Sequence, residues 1–157
     1  NLTFGNGEMI DNVTDAKIAG MASSKLSGAL PVLDGAALTN LPYDIALTAG
    51  YNEFMVKENL AVATYGELVM ARAGTFVGEA GYVDTVATGA NIVVDILKNG
   101  TTIYSTTPSF AISTATLTPG VISVTSFASG DRITFKAIQV GSTITGQGVR
   151  FTLKCKV

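Results

Sequence analysis

Apolar and polar residues alternate through the last nine positions of the chain, where Val149, Phe151, Leu153, Cys155 and Val157 are separated by Arg150, Thr152, Lys154 and Lys156. A period of two places one set on a buried face and the other in water, which predicts a half-buried β-strand. A second strand is predicted from Arg132 to Val140, entered through the Ser129-Gly130-Asp131 turn and left at Gly141. Asn91 to Leu97 and Thr102 to Ser105 flank Lys98-Asn99-Gly100-Thr101, and Asn-Gly supplies the two positive-φ positions of a tight hairpin. Weaker strand candidates are 45–48, 60–64, 67–72, 75–82, 109–113 and 121–127. Residues 53–72 carry Glu, Met, Leu and Ala that would also tolerate a helix; strands are the assignment there. Eight or nine short strands with frequent turn signals predict an all-β fold, an antiparallel jelly-roll-like β-sandwich over residues 43–157.

Residues 1–42 have a different pattern. Aliphatic-x-Gly recurs as Ile18-Ala19-Gly20, Leu26-Ser27-Gly28 and Leu33-Asp34-Gly35, with Leu30, Leu38 and Leu41 as further apolar anchors. The glycines disrupt any heptad register, and each costs a helix about 1 kcal/mol relative to Ala. An extended segment with isolated leucines has no layer of its own to bury them against. It is expected to be an extended, Gly-punctuated stem that buries Ile18, Leu26, Leu30, Leu33, Leu38 and Leu41 against other copies of the same chain. Residues 1–17 read as irregular stem or linker.

Composition narrows the function. Only 14% of residues are charged against 47% hydrophobic, and 17 are glycine. Such a surface is rich in small and hydroxyl side chains and suits a particle-bound protein or an oligomer. The net charge of −2, with no basic stripe, argues against nucleic-acid binding. No apolar run approaches the roughly 20 residues of a spanning helix, so membrane insertion is not expected. The first residue is Asn, and further sequence is expected before it.

Histidine is absent, which removes imidazole acid–base chemistry, Ser-His-Asp and Cys-His catalysis, and most zinc sites. Cys155 is the lone cysteine and reads as a core side chain. The carboxylates Asp44, Glu53, Glu58, Glu67, Glu79, Asp84, Asp95 and Asp131 show no spacing that selects a catalytic pair. The glycine groups 74/78/81 and 141/146/148 lack the Gly-Lys-Ser/Thr ending of a phosphate loop and read as loop glycines. Asp131 reads as a turn acceptor, not a calcium ligand. No enzyme activity, metal or cofactor is expected. Tyr51, Tyr65 and Tyr82 stand beside Asn52, Gly66 and Gly81, where loops are expected, and are the candidate receptor contacts.

The words Lys25-Leu26-Ser27-Gly28-Ala29-Leu30-Pro31 and Leu33-Asp34-Gly35-Ala36-Ala37-Leu38-Thr39-Asn40-Leu41-Pro42 resemble the segment that precedes the distal domain of many bacteriophage tail-fibre proteins. The stretches Lys98 to Tyr104, Gly130 to Phe135 and Gly141 to Thr143 are similar to C-terminal β-domains of such fibres. The resemblance implies a homotrimeric virion appendage, with a thin stem and a distal head that contacts host cell-surface polysaccharide or protein. Two rival readings share the architecture: a capsid head fibre or decoration protein, and a polysaccharide-degrading tail protein.

Overall fold

The computed structural model describes residues 40–157, together with the backbone ladder of β1 (Leu2–Thr3) and β2 (Met9–Ile10). The chain divides into two units, Asn1–Ala37 and Leu38–Val157. In the first, Leu2 faces Ile10 and Thr3 faces Met9 in antiparallel register. A stretch expected to be irregular therefore holds a strand pair, with the turn formers Gly5, Asn6 and Gly7 between them in sequence. Ile18, Leu26, Leu30, Leu33 and Leu38 lie outside the described residues.

The second unit contains β3 (Ile45–Ala49), β4 (Ala63–Val69), β5 (Gly74–Thr85), β6 (Ile92–Lys98), β7 (Thr101–Thr102), β8 (Tyr104–Thr106), β9 (Ser109–Phe110), β10 (Val121–Ile122), β11 (Ser126–Phe127), β12 (Arg132–Val140) and β13 (Gln147–Lys156). No helix occurs among the described residues, so residues 53–72 resolve in favour of a strand. One sheet has the order β11-β5-β13-β3 and the other β4-β12-β6-β7, with β9 also on β6; β8 and β10 form a separate pair. Every pairing is antiparallel. Ile133, Phe135 and Ala137 from one sheet and Val149, Phe151, Leu153 and Cys155 from the other are buried, while Arg132, Arg150, Lys154 and Lys156 are exposed. Phe135 meets Phe151 across the interior at 5.3 Å between ring centroids. The arrangement is a β-sandwich with one core.

Asn99 (φ 51°) and Gly100 (φ 89°) make the predicted turn between β6 and β7. Asp131 accepts from Ala128 N at 2.8 Å and from Asn99 Nδ2 at 2.8 Å, which makes it the expected turn acceptor. Three local expectations are corrected. The two weak strands at 60–64 and 67–72 are a single strand, β4, running through Tyr65 and Gly66. The candidate at 121–127 splits into β10 and β11. Gly74, Gly78 and Gly81 lie inside β5 rather than in a loop.

Gly78 has a structural role. Lys154 faces Gly78 but Cys155 faces Phe76, so Val77 is an extra residue, a bulge at Val77-Gly78. Its Gly78 takes φ 151°, a conformation open to glycine. The bulge reverses the in–out phase of β5, and both Phe76 and Val83 point inward although an odd number of positions separates them. It also turns Glu79 toward the interior, where the residue is 6% exposed.

The second unit starts earlier than the expected Tyr43. Leu41 exchanges both backbone hydrogen bonds with Val157, at 2.9 and 3.0 Å, and Tyr43 N donates to Cys155 O. Leu41, read from sequence as the last stem anchor, thus continues the β13 edge, with its side chain partly exposed.

Candidate recognition surface

Strand direction gives the sandwich two different ends. β3, β5 and β12 run away from Leu41, and β4, β6 and β13 return, as the pairs Ala49–Val149, Thr85–Gln147 and Ile92–Val140 mark the far end. Residues 50–62, 86–91, 111–116 and 141–146 connect strands there. These loops are tied together: Thr88 pairs with Ile144, Ser113 N donates to Ala87 O at 3.0 Å, and Leu60 N donates to Gly146 O at 2.9 Å. Three of the four, 86–91, 111–116 and 141–146, contain no ionisable side chain.

The fourth loop carries an apolar finger. Phe54 is 78% exposed, and Met55 and Val56 are exposed beside it. Such residues would collapse inward if the loop were free to move, but its backbone is held. Asn52 N donates to Val56 O at 2.9 Å, Met55 N donates to Asn52 O, and Asn52 Oδ1 accepts from both Phe54 N and Val56 N. This is an Asx-type turn closed by the Tyr51–Lys57 bridge, with Met55 at φ 59°. Val62, Ile112 and Ile144 add exposed apolar side chains at the same end. Replacing Asn52 with Ala is expected to cost only about 0.5–1 kcal/mol of global stability while hydrogen exchange at the Phe54 and Val56 amides accelerates. Exchange at those two amides equal to that of the parent would contradict this account of the turn.

Behind the finger lies a polar cluster on the outer face of β5 and β13. Tyr51 donates its hydroxyl to Asp84 Oδ2 at 3.0 Å, and Arg150 donates to Asp84 Oδ1. The Arg150 guanidinium also lies 5.3 Å from the centre of the Tyr51 ring, a cation–π distance. Tyr82, half exposed, faces Arg150 in the ladder. Gly148 makes the approach possible: it takes φ 68°, and a Cβ there would stand 2.8 Å from Asp84 Oδ2 and 3.0 Å from the Tyr51 hydroxyl. The Arg150 and Tyr51 hydrogen bonds hold the Asp84 carboxyl below its ordinary range. Burial and the bond to Asp84 push the Tyr51 hydroxyl up.

These shifts have a chemical meaning. The Asp84 carboxylate, held ionised by the Arg150 guanidinium and the Tyr51 hydroxyl, presents fixed hydrogen-bonding groups at the surface. Burial pushes the Cys155 thiol up to about 11, which makes it a core side chain and a poor nucleophile. No grouping of three or more metal-binding side chains occurs among the described residues. Of the three candidate tyrosines, Tyr51 lies in the expected loop, whereas Tyr65 and Tyr82 lie within strands. Tyr51 and Tyr82 come together around Arg150. Tyr65 stays apart, its hydroxyl accepting from Ala61 N at 2.7 Å and donating to Ala61 O, closing the corner that leads into β4.

Sequence reading named Asp84, Gly148 and Arg150 separately but did not bring them together, and it missed the Phe54-Met55-Val56 finger. For the finger a signal existed: three consecutive large apolar residues follow the turn former Asn52. For Asp84 and Arg150 none did, since 66 positions separate them. Comparison with protein-family models, with curated proteins and with solved structures finds no match to this chain.

Proposed function

We propose that this chain is the distal part of a bacteriophage tail fibre: a non-enzymatic homotrimer on the virion whose head binds the host bacterial surface. The observation that carries the reading is the held apolar finger beside the Tyr51–Asp84–Arg150–Tyr82 cluster, at the end of the sandwich away from Leu41. Exposed aromatic and apolar groups held in place lose little entropy on binding, which is the usual anatomy of a contact surface. The head is a jelly roll in this reading, because β3, β4, β5, β6, β11, β12 and β13 alternate between the two sheets. The stem trimerises through Ile18, Leu26, Leu30, Leu33 and Leu38, and threefold display converts weak single contacts into firm attachment. In this reading other virion tail or capsid proteins hold the fibre on the particle.

Light scattering at micromolar concentration is expected to give three times the 16.2 kDa chain mass. Fluorescently labelled chain added to a panel of bacterial strains should coat some of them, and the double variant Phe54→Ser/Met55→Ser should lower the cell-bound signal by about tenfold or more. A monomeric mass, or coating unaffected by the double variant, would overturn the proposal.

A further inference from the structure

A second site lies at the opposite end of the sandwich, on the outer face of β4 and β12. Val69 faces Arg132 and Glu67 faces Thr134 across this pair. Together with Leu68 and the turn residue Gly100 they line a cleft of about 270 Å³. One wall is the β6–β7 turn, which is braced: Asn99 Oδ1 accepts from Arg132 N at 2.9 Å, Asn99 N donates to Arg132 O at 2.8 Å, and Asn99 Nδ2 donates to Asp131. Gly100 leaves that wall low, with nothing within 4 Å of where a Cβ would stand.

The charges in the cleft are not used up by the protein. Among the described residues the ion pairs are Lys98–Asp131 and Arg150–Asp84, and Arg132 takes part in neither. Glu67 lies one position along the same face and accepts from Thr134 Oγ1 at 3.3 Å, but forms no ion pair with Arg132. A guanidinium and a carboxylate kept apart on one wall, with a threonine hydroxyl and a valine between them, make a mixed lining. The cleft is smaller than the roughly 300–1,000 Å³ of drug-sized pockets, so its occupant is a single ring and not an extended chain.

We propose that this cleft binds one uronic acid residue of a glycan. The guanidinium of Arg132 would hold the sugar carboxylate through two parallel hydrogen bonds, a geometry that a planar fork of donors favours. Glu67 accepts from one ring hydroxyl, Thr134 Oγ1, whose proton goes to Glu67, accepts from another, and the exposed Val69 faces the apolar C–H side of the ring. A phosphate fits less well, because its greater negative charge would stand beside the Glu67 carboxylate. The site goes beyond the tip surface proposed above and requires neither a trimer nor a virion, so the two readings fail separately.

Saturation-transfer NMR on the full chain with sodium glucuronate and galacturonate tests this. Binding with a Kd on the order of 1 mM is expected, with methyl glucoside at least about tenfold weaker. Arg132→Gln should abolish uronate binding while its thermal midpoint matches the parent, since the side chain holds no other residue in place. Lys154→Gln, which removes a cation from the outer face of the other sheet, should change nothing. Three results would each overturn the proposal: equal binding of the neutral glycoside, unchanged binding by Arg132→Gln, or displacement of uronate by an equal concentration of inorganic phosphate.

Discussion

Phe151→Ala is expected to lower the unfolding free energy by about 3–5 kcal/mol, a large share of the roughly 5–15 kcal/mol that holds a typical domain together. Phe151 is 1% exposed in the middle of β13. Leu47 and Gly81 face it on the neighbouring strands, and the Phe135 ring of the opposite sheet packs on it at a tilt of 31°. Truncation removes the aromatic contact and leaves a void that both sheets border. Strands paired on both sides cannot shift to fill it without disturbing their ladders. Phe151→Leu retains most of the volume and should cost about 1–1.5 kcal/mol. Urea unfolding of the three proteins checks both values through the shift in midpoint at constant slope. A loss below about 1.5 kcal/mol for the alanine variant would mean that the two sheets are not joined through this contact.

Glu79→Gln is expected to stabilise the protein by about 1–3 kcal/mol at pH 8 and by nearly nothing at pH 4. The bulge at Gly78 directs Glu79 inward, where Oε1 accepts from Gly120 N at 2.5 Å and Oε2 has no partner. Burial raises the Glu79 pKa, more than the Gly120 N–H and Lys154 lower it. A group with its folded pKa raised contributes stability that is fully present below the unfolded value, about 4.3, and is lost as pH rises through the folded value. Glutamine keeps the acceptor for Gly120 and never ionises, so it should remove that loss. Asp95, buried against Thr102, is shifted in the same sense. Asp84 and Asp131 are shifted downward, and their stability is present above about 3.9 and lost as pH falls through their lower folded values. The parent is therefore weakened from both sides, and the difference between parent and variant isolates Glu79. Chemical denaturation at pH 4, 6 and 8 measures it. A difference that stays constant across this range would show that Glu79 does not ionise against its burial.

The second prediction turns on β5, where sequence and structure part. The alternation in β13, and in β12 as far as Ala137, was readable because each strand has one wet face, and a period of two leaves no other placement. Asn99-Gly100 was readable because few residue pairs take two successive positive φ angles. In β5 the glycines suggested loops, yet Phe76 and Val83 are both buried at an odd separation. That parity requires one extra residue between them, and Gly78 marks where it sits.

The amino-acid sequence by itself determined an all-β domain with a turn at Asn99-Gly100, a buried Cys155, and a chain without the imidazole needed for most acid–base and zinc chemistry. These follow from local backbone preference, from the in–out period of a strand and from composition, none of which needs a partner distant in sequence. Only the tertiary structure decided the rest: which sheet each strand joins, the joining of Tyr51, Asp84 and Arg150, the apolar finger at the end away from Leu41, and the cleft beside Arg132. The reason is physical. Contacts between residues 33 to 66 positions apart depend on strand order and register, which the summed packing of the whole core selects and no local segment encodes.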